Sequence, residues 1–238
     1  MKKITTVFLL CVMVCAAVYA QNESDFFTDG KGTITGYMGL ATTVVIPGRI
    51  SGVPVTAIGD MAFSGCTSLV SISIPNSVVR IGARAFAWCT SLVSISIPNS
   101  VVRIGDYAFA GCTSLTNVTI PNSVTSIGSE AFLRCTSLTS VIIPNSVTSI
   151  MSETFNRCIS LTSVTIPASV FAIEQWAFLD CISLTSVTFQ GTIHSSDFSS
   201  NNSFEGDLRE KFYASNRSNG TPGTYTRPNG DSATWTRR

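Results

Sequence analysis

Six cysteines recur at Cys66, Cys89, Cys112, Cys135, Cys158 and Cys181, one in every 23 residues. Thiols can pair, ligate zinc or attack a substrate, and six of them in an exported chain would ordinarily be read as three disulfides. The spacing argues otherwise. Side chains at one phase of a repeat stack about 5 Å apart with parallel Cα–Cβ vectors, whereas a disulfide needs two such vectors to converge. Zinc would want a Cys-x-x-Cys pair or nearby histidines, and the single histidine, His194, lies in a serine-rich segment outside the repeats. Free cysteine packs as a small hydrophobe, so the column is expected to be buried, inert thiol. Acid–base or nucleophilic catalysis fares no better. No serine sits in a Gly-x-Ser-x-Gly elbow, and Asp60, Asp106, Glu130, Glu153 and Glu174 occupy exposed positions of the repeat. The chain reads as non-enzymatic, with no catalytic residue, metal or cofactor assigned.

The elements that carry these thiols share the same beat. Phenylalanine stands at Phe63, Phe86, Phe109, Phe132, Phe155 and Phe178, leucine at Leu69, Leu92, Leu115, Leu138, Leu161 and Leu184, and proline at Pro75, Pro98, Pro121, Pro144 and Pro167. Self-similarity at such a period is the signature of a stacked-repeat architecture. One unit, 115–137, shows the logic. Asn117-Val118-Thr119-Ile120 alternates polar and apolar and is β-branched, as a half-buried strand requires. Pro121 cannot donate to a ladder and, with Asn-Ser, marks a turn. Val124 and Ile127 point inward, Gly128 permits a sharp bend, and Ala131, Phe132 and Cys135 suit about one turn of helix. Such a unit cannot bury its own apolar side chains, but stacking lays each on its own kind. The fold expected is an α/β repeat solenoid, with a parallel sheet on one face, short helical turns on the other and capped ends.

The consensus Leu-x-x-Val-x-Ile-Pro-x-x-Val-x-x-Ile-Gly-x-x-Ala-Phe-x-x-Cys-x-Ser resembles the 23-residue leucine-rich repeat of BspA-like bacterial surface proteins. The resemblance covers residues 40 to about 189, including a degenerate first unit in which the proline spacing stretches from Pro47 to Pro75. It implies a protein-binding surface protein, an adhesin for host matrix proteins or other cells. Two departures from the pattern, Met151 and Glu174 in place of glycine and Thr154 in place of alanine, predict a looser or altered turn side there.

The ends and charge complete the reading. Residues 1–20, with Lys2-Lys3, an apolar run and Val18-Tyr19-Ala20, read as a signal peptide cleaved before Gln21, giving an exported protein placed in the periplasm, at the cell surface or outside. Residues 21–54 form an N-terminal cap with the degenerate repeat, 55–189 the array, and 190–238 a C-terminal cap or docking tail. The tail is expected to hold a short helix near 207–214 and a hairpin across Pro228-Asn-Gly-Asp231. No later segment is apolar enough to span a membrane. Residues 55–189 hold five arginines, no lysine and six acids, so capture of nucleic acid is disfavoured.

What remains is surface. The outward strand positions include Ser71, Ser94, Asn117, Thr119, Ser140, Ser163 and Thr165, two columns of hydroxyl and amide groups able to hydrogen-bond a protein ligand. Ile142 interrupts the polar column. Trp88, Tyr107 and Trp176 vary at positions where neighbours are small or charged, and aromatics beside arginines are typical interface anchors. These residues are the candidate binding site. A structural role, with the array as a spacer and the tail as the docking element, is the alternative.

Overall fold

In the computed structural model, residues 22–200 and 202–238 are described, and the signal-peptide reading of residues 1–20 falls outside them. The array is a solenoid of parallel strands. Its long sheet runs through Thr43–Val45, Ser71–Ser73, Ser94–Ser96, Asn117–Thr119, Ser140–Ile142, Ser163–Ile166 and Ser186–Phe189. Register follows the period, since Asn117 faces both Ser94 and Ser140, and Val118 faces both Ile95 and Val141. A slip of one residue would turn these buried valines and isoleucines to solvent, which is why the columns are uniform.

A second parallel ladder, not anticipated by the sequence, runs beside it. Two-residue strands at Ala57–Ile58, Arg80–Ile81, Arg103–Ile104 and Ser126–Ile127 pair in order, each ending one residue before the repeat glycine. The glycine here is required by contact. A β-carbon on Gly105 would stand 2.6 Å from the Ala83 nitrogen and the Gly82 carbonyl carbon, and one on Gly128 would stand 2.5 Å from the Asp106 nitrogen. Met151 brings a β-carbon into that column, and the ladder stops there; Ser149–Ile150 and Ala172–Ile173 form a separate pair. The loosening predicted from Met151 is this interruption, whereas Glu174, which also replaces the glycine, keeps the ladder bond from its N–H to Ile150 at 2.9 Å.

The Ala-Phe segment makes tight turns where one helical turn was expected. Two residues of each unit are left-handed, which an α-helix cannot accommodate. These are Met61, Arg84, Tyr107, Glu130, Glu153 and Trp176 in one column, and Gly65, Trp88, Gly111, Arg134, Arg157 and Asp180 in the other, all with φ between 54° and 74°. The conformation aims alternate amides along the solenoid axis. Arg84, Phe86 and Trp88 donate to the carbonyls of Asp106, Ala108 and Ala110 one coil on, at 2.7–2.8 Å. Between them, Ala87 and Cys89 donate three residues back within their own coil. The turn side is therefore a third ladder of backbone hydrogen bonds.

The core is columnar. Phe63, Phe86, Phe109, Phe132, Phe155 and Phe178 are fully buried and stack with centroids 5.1–5.4 Å apart and planes within 17°. Each such pair adds about 0.5–1.5 kcal/mol to the burial of its rings. Tyr37 begins the stack on Phe63, and Phe204, outside the repeats, continues it on Phe178 at 4.6 Å.

Both ends are covered along this column. Phe26–Thr28 and Thr33–Tyr37 form an antiparallel hairpin whose second strand joins the short ladder through Ala57–Ile58. The stretched first repeat accommodates an inserted hairpin, Arg49–Ile50 against Val53–Pro54, turned by Ser51 and Gly52 at φ 50° and 79°. Two successive positive φ values suit the tight two-residue turn. At the other end Leu208–Tyr213 is helical, and Gly223–Thr226 pairs antiparallel with Ser186–Phe189 before Thr236–Arg237 adds the last strand. The connection spans 227–235, longer than an Asn-Gly turn alone, because Arg227 folds inward. Its guanidinium donates to the carbonyls of Leu184, Cys181 and Ser232 and lies 5.0 Å from the Trp235 ring.

Candidate functional site

Cys89, Cys112, Cys135, Cys158 and Cys181 are buried, Cys66 is half-buried, and all six are free. Each buried thiol donates to the carbonyl of the phenylalanine 26 residues earlier, as Cys112 does to Phe86 at 3.1 Å and Cys135 to Phe109 at 3.2 Å. Burial pushes Cys112 and Cys181 up to about 12 and holds Cys135 and Cys158 well above the ordinary thiol range. A thiolate is the nucleophile and the metal ligand, so these sulfurs are inert. They act as weak hydrogen-bond donors that tie one coil to the one before it.

The strand candidates lie together on the outer face of the long sheet. Ser94, Asn117, Thr119, Ser140, Ser163 and Thr165 are exposed, while Ser71 is half-buried and donates to Thr43 at 3.2 Å. Ile142 is 73% exposed in their midst, beside a cleft of about 300 Å³ lined by Asn122, Pro144, Thr165 and Gln190. The neighbouring threonines are occupied internally. Thr116, Thr139, Thr162 and Thr185 each donate through Oγ1 to the carbonyl one coil back, at 3.2–3.5 Å. That column serves register, leaving the two outward columns of the strand for solvent.

Trp88, Tyr107 and Trp176 are elsewhere. All three are left-handed residues of the turn ladder, so the structure divides the predicted site between two surfaces. Along the first left-handed column Arg84 stacks on the Tyr107 ring at 4.8 Å, and the phenol bonds the Glu130 carboxylate, which raises its pKa. Along the second, Trp88 is 51% exposed, and its six-membered ring lies where a β-carbon on Gly111 would stand. Arg157 and Asp180 form an exposed ion pair at 3.0 Å further along.

One residue of this side escapes sequence reasoning. Asn156 stands in a column whose other members are Ser64, Ala87, Ala110, Leu133 and Leu179, yet it is 7% exposed. Its Nδ2 donates to Glu153 at 2.9 Å, and among the described residues its Oδ1 has no hydrogen-bond partner. The signal was a polar residue in an otherwise small or apolar column. It was masked because neighbouring columns vary freely.

The geometry fixes a class: a β-solenoid whose side chains form axial columns. The family described as BspA type leucine rich repeat region matches residues 42–158 and 103–211, in six copies. The chain belongs to this BspA-type leucine-rich repeat family. It is similar to the crystal structure of a T. pallidum leucine-rich repeat protein, with TM-score 0.57 and 31% identity over 69% of this chain and 90% of that one. A leucine rich cell surface protein of Faecalibacterium prausnitzii A2-165 is similar at TM-score 0.55 and 30% identity, over 75% of this chain and 57% of that one. A leucine-rich repeat protein of Bacteroides ovatus ATCC 8483 gives 0.52 and 30%, over 76% and 53%. The chain thus spans just over half the length of the latter two. No curated protein matches it. Among the described residues no helix is long and apolar enough to cross a membrane.

Proposed function

We propose that this chain is an exported, non-enzymatic adhesin that grips a host matrix or cell-surface protein through the outer face of its long sheet. The observation that supports this reading is the pairing of a flat, register-locked polar face with Ile142 standing 73% exposed at its centre. An apolar side chain so placed is released from water only by a partner, while the flanking hydroxyls and amide offer hydrogen bonds that fix its orientation. The F. prausnitzii relative is described as a cell surface protein, which agrees with a surface location. A spacer role with residues 190–238 as a free docking element fits less well. Tyr225 pairs with Val187 of the last coil and Arg227 donates to Leu184 and Cys181, both side chains buried, which supports a cap over a free tail.

The test is binding of the full chain to immobilised extracellular-matrix proteins and to epithelial cells. Replacing Ile142 by Lys at the centre of an interface is expected to cost about 1.4 kcal/mol or more, a tenfold loss of affinity. Retention of full affinity by that variant would rule out the strand face.

A further inference from the structure

Two residues that break the repeat, Trp88 and Asn156, lie about three coils apart and line one pocket. It has a volume of about 260 Å³ and is bounded by Trp88, Ala110, Leu133, Arg134, Glu153 and Asn156. Its composition is two-sided. Trp88, Ala110 and Leu133 provide an apolar platform, with the indole half exposed, and Asn156, Glu153 and Arg134 provide a polar wall.

We propose that this pocket binds a neutral sugar residue of a glycan, stacked on Trp88 and hydrogen-bonded to Asn156. Asn156 Oδ1 is a buried acceptor without a partner among the described residues. Its orientation is fixed. Glu153 Oε2 accepts at 2.9 Å, and a carboxylate oxygen can only accept, so Nδ2 must face it and Oδ1 must face away. Leaving such an acceptor unpaired is costly, and a ligand bearing a donor recovers that loss. An apolar side chain inserted from a partner would supply no donor. A lysine or arginine would supply one, but would bring its charge against Arg134, which among the described residues forms no ion pair, while the Glu153 carboxylate is already engaged by Asn156 and the Arg157 guanidinium is held by Asp180. A pyranose satisfies all the walls at once. Its C–H face covers an indole, one hydroxyl donates to Oδ1, and others accept from Arg134, with no net charge to desolvate.

The placement is also built by the fold. Gly111 has no β-carbon, so the Trp88 ring can lie over the next coil. With coils about 4.8 Å apart, the ring then leaves roughly two coils, near 10 Å, before the Asn156 amide, room for one sugar ring and its hydroxyls.

Titration of the purified chain with maltohexaose, mannohexaose and N,N′-diacetylchitobiose, followed by tryptophan fluorescence and by calorimetry, tests this. At least one is expected to bind saturably, with Trp88→Ala abolishing the fluorescence change and weakening calorimetric affinity at least tenfold. Asn156→Leu, which restores the residue found at 133 and 179, is expected to keep the thermal midpoint and weaken binding about tenfold. Three outcomes overturn the proposal: no saturable binding of any of the three sugars, binding unchanged in both variants, or binding of hexalysine alone. Because Ile142→Lys leaves this pocket untouched, sugar binding by that variant separates this site from the strand face.

Discussion

Gly105→Ala is the sharpest probe of how closely the coils approach. Gly105 has no positive φ, so alanine is acceptable to its backbone, and the obstacle is contact alone: 2.6 Å from the added carbon to Ala83 nitrogen and to Gly82 carbonyl carbon. Those are backbone atoms and cannot rotate away. The coils must part on this side, endangering the two bonds that join them here, Gly105 N–H to Ile81 at 2.9 Å and Arg84 N–H to Asp106 at 2.8 Å. At about 1 kcal/mol for each bond, with about 1–3 kcal/mol for overpacking, the loss should be about 3–5 kcal/mol. Gly48→Ala is the control. Nothing lies within 4 Å of its added carbon and its φ is not positive, so reduced freedom of the unfolded chain should leave it about 0.4–1 kcal/mol more stable. Urea unfolding followed by circular dichroism, with the slope checked for loss of cooperativity, measures both. If Gly105→Ala lies within about 0.5 kcal/mol of Gly48→Ala, close approach does not explain the glycine column.

Two further predictions concern the columns beside it. Met61 is exposed at φ 57°, so Met61→Gly should raise stability by up to about 1 kcal/mol as left-handed strain is relieved, read as a rise in thermal midpoint. The thiols predict alkaline unfolding. Their folded pKa lies above the unfolded value, so their stabilisation is complete below pH 9 and is lost as pH rises towards about 12, where Cys112 and Cys181 titrate. Each buried thiol contributes a slope of about 1.4 kcal/mol per pH unit in that window. Cys112→Ala should flatten the pH dependence of the urea midpoint between pH 9 and 11; an unchanged slope would show that the thiols are not what unfolds the protein in alkali.

The particular residues show how legible the chain was. The strands and the buried Phe, Leu and Cys columns follow from period and side-chain chemistry, because a unit that cannot bury itself has to stack on its like. The turn side misled the sequence reading: Ala131, Phe132 and Cys135 have helical spacing, but Glu130 and Arg134 are left-handed, at φ 57° and 59°. Nothing local dictates that conformation in a glutamate or an arginine. It is held by amides that reach the next coil, as Glu130 N–H reaches Ser152 and Arg134 N–H reaches Asn156. The candidate site suffered likewise. Ile142, Trp88, Tyr107 and Trp176 stood out one by one, but spacing could not reveal that Ile142 faces from the sheet and the aromatics from the turn ladder.

By itself the sequence determined the solenoid, its 23-residue register and the family, since each is a property of one unit repeated. Only the stacked structure decided where coils touch closely enough to demand glycine, where Met151 interrupts that contact, and that Trp88 and Asn156, 68 positions apart, line one pocket. The physical reason is that repetition encodes the contacts every coil makes with its neighbour. A site formed by exceptions in different coils exists only once stacking has brought them together.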